Sequence, residues 1–316
     1  MSKSAKAFAP AGISSFFEIC NKTRDSKPIR NLERVGARGG GFGLKKGVLT
    51  KVTVSPAKTS CITVSINGKL APEAETTKTA LRMLLNQADA AYEVVAEHKV
   101  EVPIGAGFGT SAGGALTAGL SLKEALDLPL TYNQIGRIAH VAEVQCKTGL
   151  GTVGALMLGG CILTVKPGAP GIGVVDRLPL RPDYVVVAGV LGPTPTKKIL
   201  SSLDRQRQIN LCGKKTLTRI LAEPSLENFL SSCWQFAQDA GFATERVREL
   251  VRLAEKAGAI GAAQNMVGEA VHAVVLEENA AAVQEAFKQV LPKESILASK
   301  IDFQGARLVS KNEEIL

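Results

Sequence analysis

The stretch Val102-Pro103-Ile104-Gly105-Ala106-Gly107-Phe108-Gly109-Thr110-Ser111-Ala112-Gly113-Gly114-Ala115-Leu116 decides how the rest of this chain is read. A strand-like run, Glu97 to Ile104, precedes its glycines, and a helix-like run follows them through Leu126 until Pro129 closes it. Strand, glycine loop, helix is the order that builds a phosphate site. Glycines at alternate positions let backbone approach an anion closely, while Thr110 and Ser111 stand where they can cap the helix and turn its free N–H groups toward negative charge. The ligand implied is a nucleotide phosphate; the bland alternative is a small-residue helix packed closely on a sheet. Two better-known glycine loops do not fit. A Walker loop needs Lys followed by Ser or Thr after its last glycine, and none stands here. A dinucleotide fingerprint needs glycine where Ala112 stands, and it needs an acidic residue ending the next strand, whereas Glu124 and Asp127 fall within or just after the helix.

Composition bounds the class. The chain has 316 residues, enough for two domains, with 45% hydrophobic and 21% charged residues, as in soluble globular proteins. Gly154 to Val165, the longest apolar candidate for a membrane span, is too short and glycine-rich to cross a bilayer. Lys3 and Lys6 precede an apolar run, but Pro10, Gly12 and Glu18 interrupt it, so a first strand is expected there and not a signal peptide. Six cysteines without a C-x-x-C pair point to reduced, mostly buried thiols in a cytoplasmic protein, with neither a disulfide framework nor a zinc site. The formal charge is +9, yet the basic residues are dispersed and aromatics make up only 4%, which leaves few platforms for stacking bases. Attraction for small anions such as ATP explains the charge, and nucleic acid is the less favoured partner.

The run Pro103-x-x-x-Gly107-Phe108-Gly109-Thr110-Ser111-Ala112 resembles the central motif of the GHMP small-molecule kinases, Pro-x-x-x-Gly-Leu-Gly-Ser-Ser-Ala, with Phe for Leu and Thr for the first Ser. The opening Ala7-Phe8-Ala9-Pro10-Ala11-Gly12-Ile13-Ser14-Ser15-Phe16-Phe17-Glu18-Ile19 is similar to that of one branch, the archaeal pantoate kinases. So are the Gly36-x-Arg38-Gly39 segment and Gln264-Asn265-Met266-x-Gly268, which stands in place of the third GHMP motif. The resemblance implies an α+β, two-domain GHMP kinase fold. Residues 1–176 would form an ATP- and substrate-binding domain like ribosomal protein S5 domain 2, and 177–316 a ferredoxin-like domain beyond a Pro/Gly-rich junction. The implied activity is ATP-dependent phosphorylation of pantoate to 4-phosphopantoate on the archaeal route to coenzyme A. Kept beside it are another GHMP kinase with a shifted substrate and a non-catalytic nucleotide- or RNA-binding paralogue.

Residue by residue, the resemblance puts ATP over Pro103, Gly105, Gly107, Gly109, Thr110, Ser111 and Ala112. It makes Glu143, on a helix of residues 130–144 capped by Thr131, the Mg²⁺ ligand opposite Ser111. The acceptor would meet Ser14, Ser15 and Asn265. Arg38, with Arg34 as a weaker second, would take its carboxylate, since a guanidinium among flexible glycines can reach one bidentately. Lys197 is a further phosphate candidate or, equally, a solvated surface lysine, and His140 is expected to serve packing or to position its helix. One position departs from the family pattern: an Asp, proposed there as general base, commonly follows Gly-Leu-Gly, and here Thr152 does. Thr cannot accept a proton at neutral pH, but phosphoryl transfer depends mainly on positioning and charge neutralisation. A homodimer is the candidate assembly.

Along the rest of the chain, Ala5–Ala9 reads as a strand, 10–19 as a loop returning into a second strand, and 35–44 as a glycine-rich segment, in the bland reading a wide turn, before a strand at 47–54. Helices are expected over 79–90, 225–241, 245–257 and 280–291, the last capped by Asn279, and a strand pair over 295–309.

Overall fold

The computed structural model describes residues 2–23, 25–192 and 203–310. Two long strands form its centre, β1 (Lys3–Cys20) and β2 (Gly36–Pro56), antiparallel over almost their whole length. Residues 10–19 do not loop out into a second strand as expected; they continue β1, with register shifts against β2 between Pro10 and Ala11 and between Ser14 and Phe16. Bulges absorb the shifts without breaking the ladder, Lys45 and Lys46 of β2 being the extra residues at the first and Ser15 of β1 at the second, so Pro10 and Gly12 do not end the strand. The glycine run is likewise the first half of β2 and not a turn. Its bare backbone lies closer to β1 than a side chain allows: a Cβ on Gly39 would stand 2.5 Å from the Phe16 carbonyl oxygen, and one on Gly41 would overlap that of Ile13.

The first sheet adds β3 (Cys61–Ile66), β4 (Lys69–Leu70), β5 (Tyr92–Val100), β6 (Cys161–Lys166), β7 (Val174–Leu178) and β12 (Arg307–Val309). Its order is β12-β1-β2-β5-β3-β4, with β6 and β7 carried on the glycine half of β2. Asn67-Gly68, both left-handed, turns β3 into β4 as the dipeptide predicts. The strand before the phosphate loop is 92–100 and not 97–104: the Glu101 N–H makes a last bond to the Gly47 carbonyl at 3.0 Å, and Pro103 beyond it cannot donate to a ladder. Helix α1 (Glu75–Leu85) starts earlier than the expected 79–90 because its first turn is held by tertiary contacts, Thr76 to Thr148 and Thr77 to His98. With α2 (Thr110–Leu126), α3 (Tyr132–Gln145) and the short α4 (Thr152–Leu158), it covers one face of the sheet. Helix α2 is buried on nearly every side, and its small residues let it lie against the strands; a Cβ on Gly113 would already meet Val48 Cγ2 at 3.2 Å.

The second sheet is fully antiparallel, with order β11-β8-β10-β9 from β8 (Tyr184–Gly192), β9 (Gly261–Gln264), β10 (Glu269–Leu276) and β11 (Ile296–Lys300). Helices α5 (Leu203–Ala222), α6 (Leu226–Asp239), α7 (Glu245–Lys256) and α8 (Ala280–Lys288) complete it. Read by sequence, the strands stand fourth, first, third, second, the ferredoxin-like arrangement that was expected. Three details differ from expectation. Asn279 makes no side-chain capping bond to α8. The 295–309 pair is split, β11 joining the second sheet and β12 the edge of β1. The 176/177 boundary falls inside β7, because the Pro/Gly-rich stretch makes a turn within the first sheet. Phe16 and Phe42 of the first sheet meet Phe229 of α6 edge-on at 6.2 and 5.3 Å, in one apolar cluster that also holds Val186 and Ala188 of β8. Each such buried phenyl contributes roughly 2–3 kcal/mol, which joins the two sheets into one body.

Candidate active site

A cavity of about 450 Å³ opens where β1, β2, the glycine loop, α4 and the turn after β9 converge. On one side lies the N-terminus of α2. Gly105, Gly107 and Gly109 all have positive φ, and Gly109, at +63°, is the N-cap. Thr110 and Ser111 were expected to cap this helix; they are its first two residues instead, and no side chain caps it. The first intrahelical bond runs from Gly113 N–H to the Gly109 carbonyl at 3.0 Å, so the N–H groups of Thr110, Ser111 and Ala112 precede the ladder. All three residues line the cavity. Uncapped donors at the positive end of a helix dipole form an anion site.

The opposite wall is the β1–β2 pair. Ser14, Phe16 and Phe17 face the cavity together with Ala37, Arg38 and Gly39 to Phe42. Arg38 Nη2 bonds Glu18 Oε1 at 2.6 Å, the two residues being register partners across the strands. Glu18 holds the Arg38 guanidinium firmly protonated, and Arg38 Nε is left without a partner. Among the described residues lining the cavity, Arg38 is the one cation and Glu143 the one carboxylate.

Glu143 enters from α3 and is only 2% exposed. Burial pushes its pKa up to about 7, although the Thr152 hydroxyl and the N–H groups of Thr152, Gly151 and Val153 pull it back down. The start of α4 thus faces the carboxylate, the geometry a helix dipole favours. Glu143 Oε2 has no hydrogen-bond partner. A buried carboxylate with a free oxygen, sharing a cavity with the Ser111 hydroxyl, fits Mg²⁺, which takes one or two carboxylates and completes its shell with phosphate oxygens and water. No group of three His, Cys, Asp or Glu stands together among the described residues, so phosphate and water would supply those remaining ligands. Thr152 is the first residue of α4; its Cγ2 lies 2.8 Å from where a Cβ on Gly109 would be and 3.6 Å from one on Gly12.

Ser14, Arg38, Gly105, Gly107, Gly109, Thr110, Ser111, Ala112, Glu143 and Thr152 are therefore brought together as expected. Four expected residues do not line the cavity. Ser15 is the extra residue of the β1 bulge and turns into the core, where its Oγ lies 2.9 Å from His272 Nε2. Asn265 is fully buried on the other side of that histidine. Arg34 is exposed in the turn before β2, and Pro103 only guides the chain toward the loop. Lys197 lies outside the described residues. His140 packs as expected, buried with Nε2 at 2.9 Å from the Val35 carbonyl, holding the chain that enters β2. The cysteines are all free as expected, but only Cys161 and Cys233 are buried, and Cys61 is exposed. Sequence reasoning missed Glu18 and His272. An acid twenty positions before Arg38 is no signal until the strand register is known, and a lone histidine in an apolar strand reads as packing.

Comparison with known proteins gives the family. Residues 75–160, which carry the glycine loop and Glu143, match the family described as GHMP kinases N terminal domain. The pantoate kinase of Thermococcus kodakarensis is 33% identical over 291 residues, 90% of this chain and 91% of that protein. The pantoate kinase of Methanocaldococcus jannaschii is 28% identical over 271 residues, 86% and 93% of the two chains. A solved structure described as a phosphotransferase related to the CoA biosynthesis pathway superposes with a TM-score of 0.86 at 30% identity, covering 98% of this chain and 100% of its own. Among the described residues no helix is long and apolar enough to cross a membrane. With the two-domain GHMP fold, its loop and its carboxylate in place, this chain belongs to the pantoate kinase family of GHMP kinases.

Proposed function

We propose that the protein transfers the γ-phosphoryl group of ATP to the terminal hydroxyl of pantoate, giving 4-phosphopantoate for coenzyme A synthesis in the cytoplasm. The observation that carries this reading is the pairing of uncapped α2 donors with one cation and one carboxylate in a single cavity. The N–H groups of Thr110, Ser111 and Ala112 receive phosphate oxygens. Arg38 takes the pantoate carboxylate through N–H groups that Glu18 leaves free. Ser14 stands beside it on the same wall as a donor to an acceptor oxygen. Glu143 and Ser111 would hold Mg²⁺, which, when bound, neutralises charge on the transferring phosphoryl oxygens. Thr152 keeps its hydroxyl on Glu143 and takes no proton. The acceptor proton leaves late in a loose transition state and passes to the phosphate product or to water. The domain division we favour follows the sheets, the first domain ending after Leu178 and regaining 307–309 from the C-terminal segment.

The test is ADP release with ATP and Mg²⁺ against pantoate, pantothenate, mevalonate and homoserine. Turnover is expected on pantoate, and Arg38→Ala should raise the KM for it by ~10- to 100-fold, as expected for a lost charged hydrogen bond of ~1.5–3 kcal/mol. The absence of a carboxylate at Thr152 supports a second reading, a binding paralogue. Silence on all four acceptors from protein that binds ATP, with ATP-independent RNA binding that falls steeply with salt, would favour it.

A further inference from the structure

The wall that closes the cavity comes from the second sheet. Met266 and Val267, in the turn between β9 and β10, line it. That turn rests on the glycine loop, with Met266 O 3.5 Å and Asn265 Cβ 3.8 Å from where a Cβ on Gly107 would be. It is also tied to β1, where the Met266 N–H donates to the Ser14 carbonyl at 2.7 Å. One turn thus touches both the phosphate loop and the strand that carries Ser14.

Behind the turn runs a dry polar relay that the transfer step does not use. Ser15, His272 and Asn265 are each 0% exposed. His272 Nδ1–H donates to Asn265 Oδ1 at 2.7 Å, which leaves Nε2 to accept from the Ser15 hydroxyl at 2.9 Å. Burial keeps the imidazole neutral, so the relay holds one polarity at ordinary pH. The Phe42 ring packs edge-on against the imidazole at 5.6 Å. Three apolar side chains would fill this space without burying polar groups or leaving Asn265 Nδ2 unpaired, as it is here. What hydrogen bonds add is direction: apolar contacts let two sheets slide, whereas two directed bonds through one imidazole fix one registration.

We infer that His272 is a positioning residue for phosphoryl transfer: by clamping Asn265 to Ser15 across the two sheets, it fixes the 265–268 turn over the glycine loop and sets the affinity for nucleotide and acceptor. The inference rests on the kinase reading above. His272→Phe keeps a planar ring beside Phe42 and removes both bonds, while Ser15→Ala and Asn265→Ala each remove one. In folded His272→Phe, the KM for ATP and for pantoate should rise at least ~10-fold, with a parallel rise in the Kd of a fluorescent ADP analogue. His272→Gln, which retains one donor and one acceptor, should recover part of the loss. The Ser15→Ala and Asn265→Ala effects on that Kd should be less than additive when combined, because both open the same relay. Lower melting temperatures with KM, kcat and ADP-analogue Kd all within twofold of wild type would overturn the inference and leave the relay a stability element. Should His272→Phe fail to fold, the same criteria applied to the two single-bond variants decide. Binding of the ADP analogue needs no acceptor, so a wrong pantoate assignment and a wrong positioning role give different results.

Discussion

The two walls of the cavity are both rich in glycine, and they use it for opposite reasons. On the β2 wall, Gly41 is extended and has no room: a side chain there would overlap the Ile13 carbonyl of the paired strand. On the loop wall, Gly105 has all the room it needs, with nothing within 4 Å of where a Cβ would stand, and is required for its φ of +80°. The first wall is stiff because two backbones interlock. The second keeps its polar valence unspent, with three helix N–H groups uncapped and one Glu143 oxygen unpaired, ready for a ligand.

Substitutions can break this contrast. The largest effect is expected from Gly41→Ala, where the overlap is with backbone and cannot be relieved by a rotamer. Loss of at least about 4 kcal/mol, read by urea unfolding, or failure to fold is the expected outcome; a near-neutral variant would mean that the β1–β2 pairing is looser than described.

Glu143→Gln should act in the opposite direction on stability. The folded-state pKa of Glu143, about 7, lies above its ordinary value of 4.5, so the native protein binds the extra proton between those limits and wild-type stability falls as pH rises through that window. Metal-free Glu143→Gln should therefore match wild type near pH 5 and exceed it by up to about 3 kcal/mol at pH 8. The same variant should lose Mg²⁺-dependent turnover. Equal stability at both pH values would show that the carboxylate is already compensated. The smallest effect is Gly105→Ala, where open space leaves only the left-handed backbone penalty of about 1 kcal/mol. A fall comparable to that of Gly41→Ala would erase the distinction between the walls.

Part of the site is legible in the sequence alone. Gly107 to Ala112 stand in a local motif whose spacing survives folding, and Glu143 and Arg38 are reached in one dimension through the resemblance of their segments to those of GHMP and pantoate kinases. Ser14 and Ser15 cannot be separated that way, because which of two adjacent serines faces the cavity depends on a bulge at that point. Arg34 and Arg38 look alike in sequence, and only the strand that begins at Gly36 carries one into the cavity while the other stays in the exposed turn. The motif around Asn265 reads as a substrate contact, yet its side chain serves the histidine behind the wall.

By itself the sequence determined the glycine loop with its strand-loop-helix order and the absence of an aspartate at Thr152, since these reside in residue type and local order, and the resemblance of its motifs to GHMP kinases implied the fold class and the carboxylate opposite the loop. Tertiary structure alone decided that the glycine run is a strand, that Glu18 orients Arg38, that Thr152 turns its hydroxyl to Glu143, and that Ser15, His272 and Asn265 meet across two sheets. The physical reason is the range of the forces involved. Helix and turn preferences act over a few residues, whereas strand register and buried hydrogen bonds join positions as far apart as Ser15 and His272, and are fixed only when the whole core closes around them.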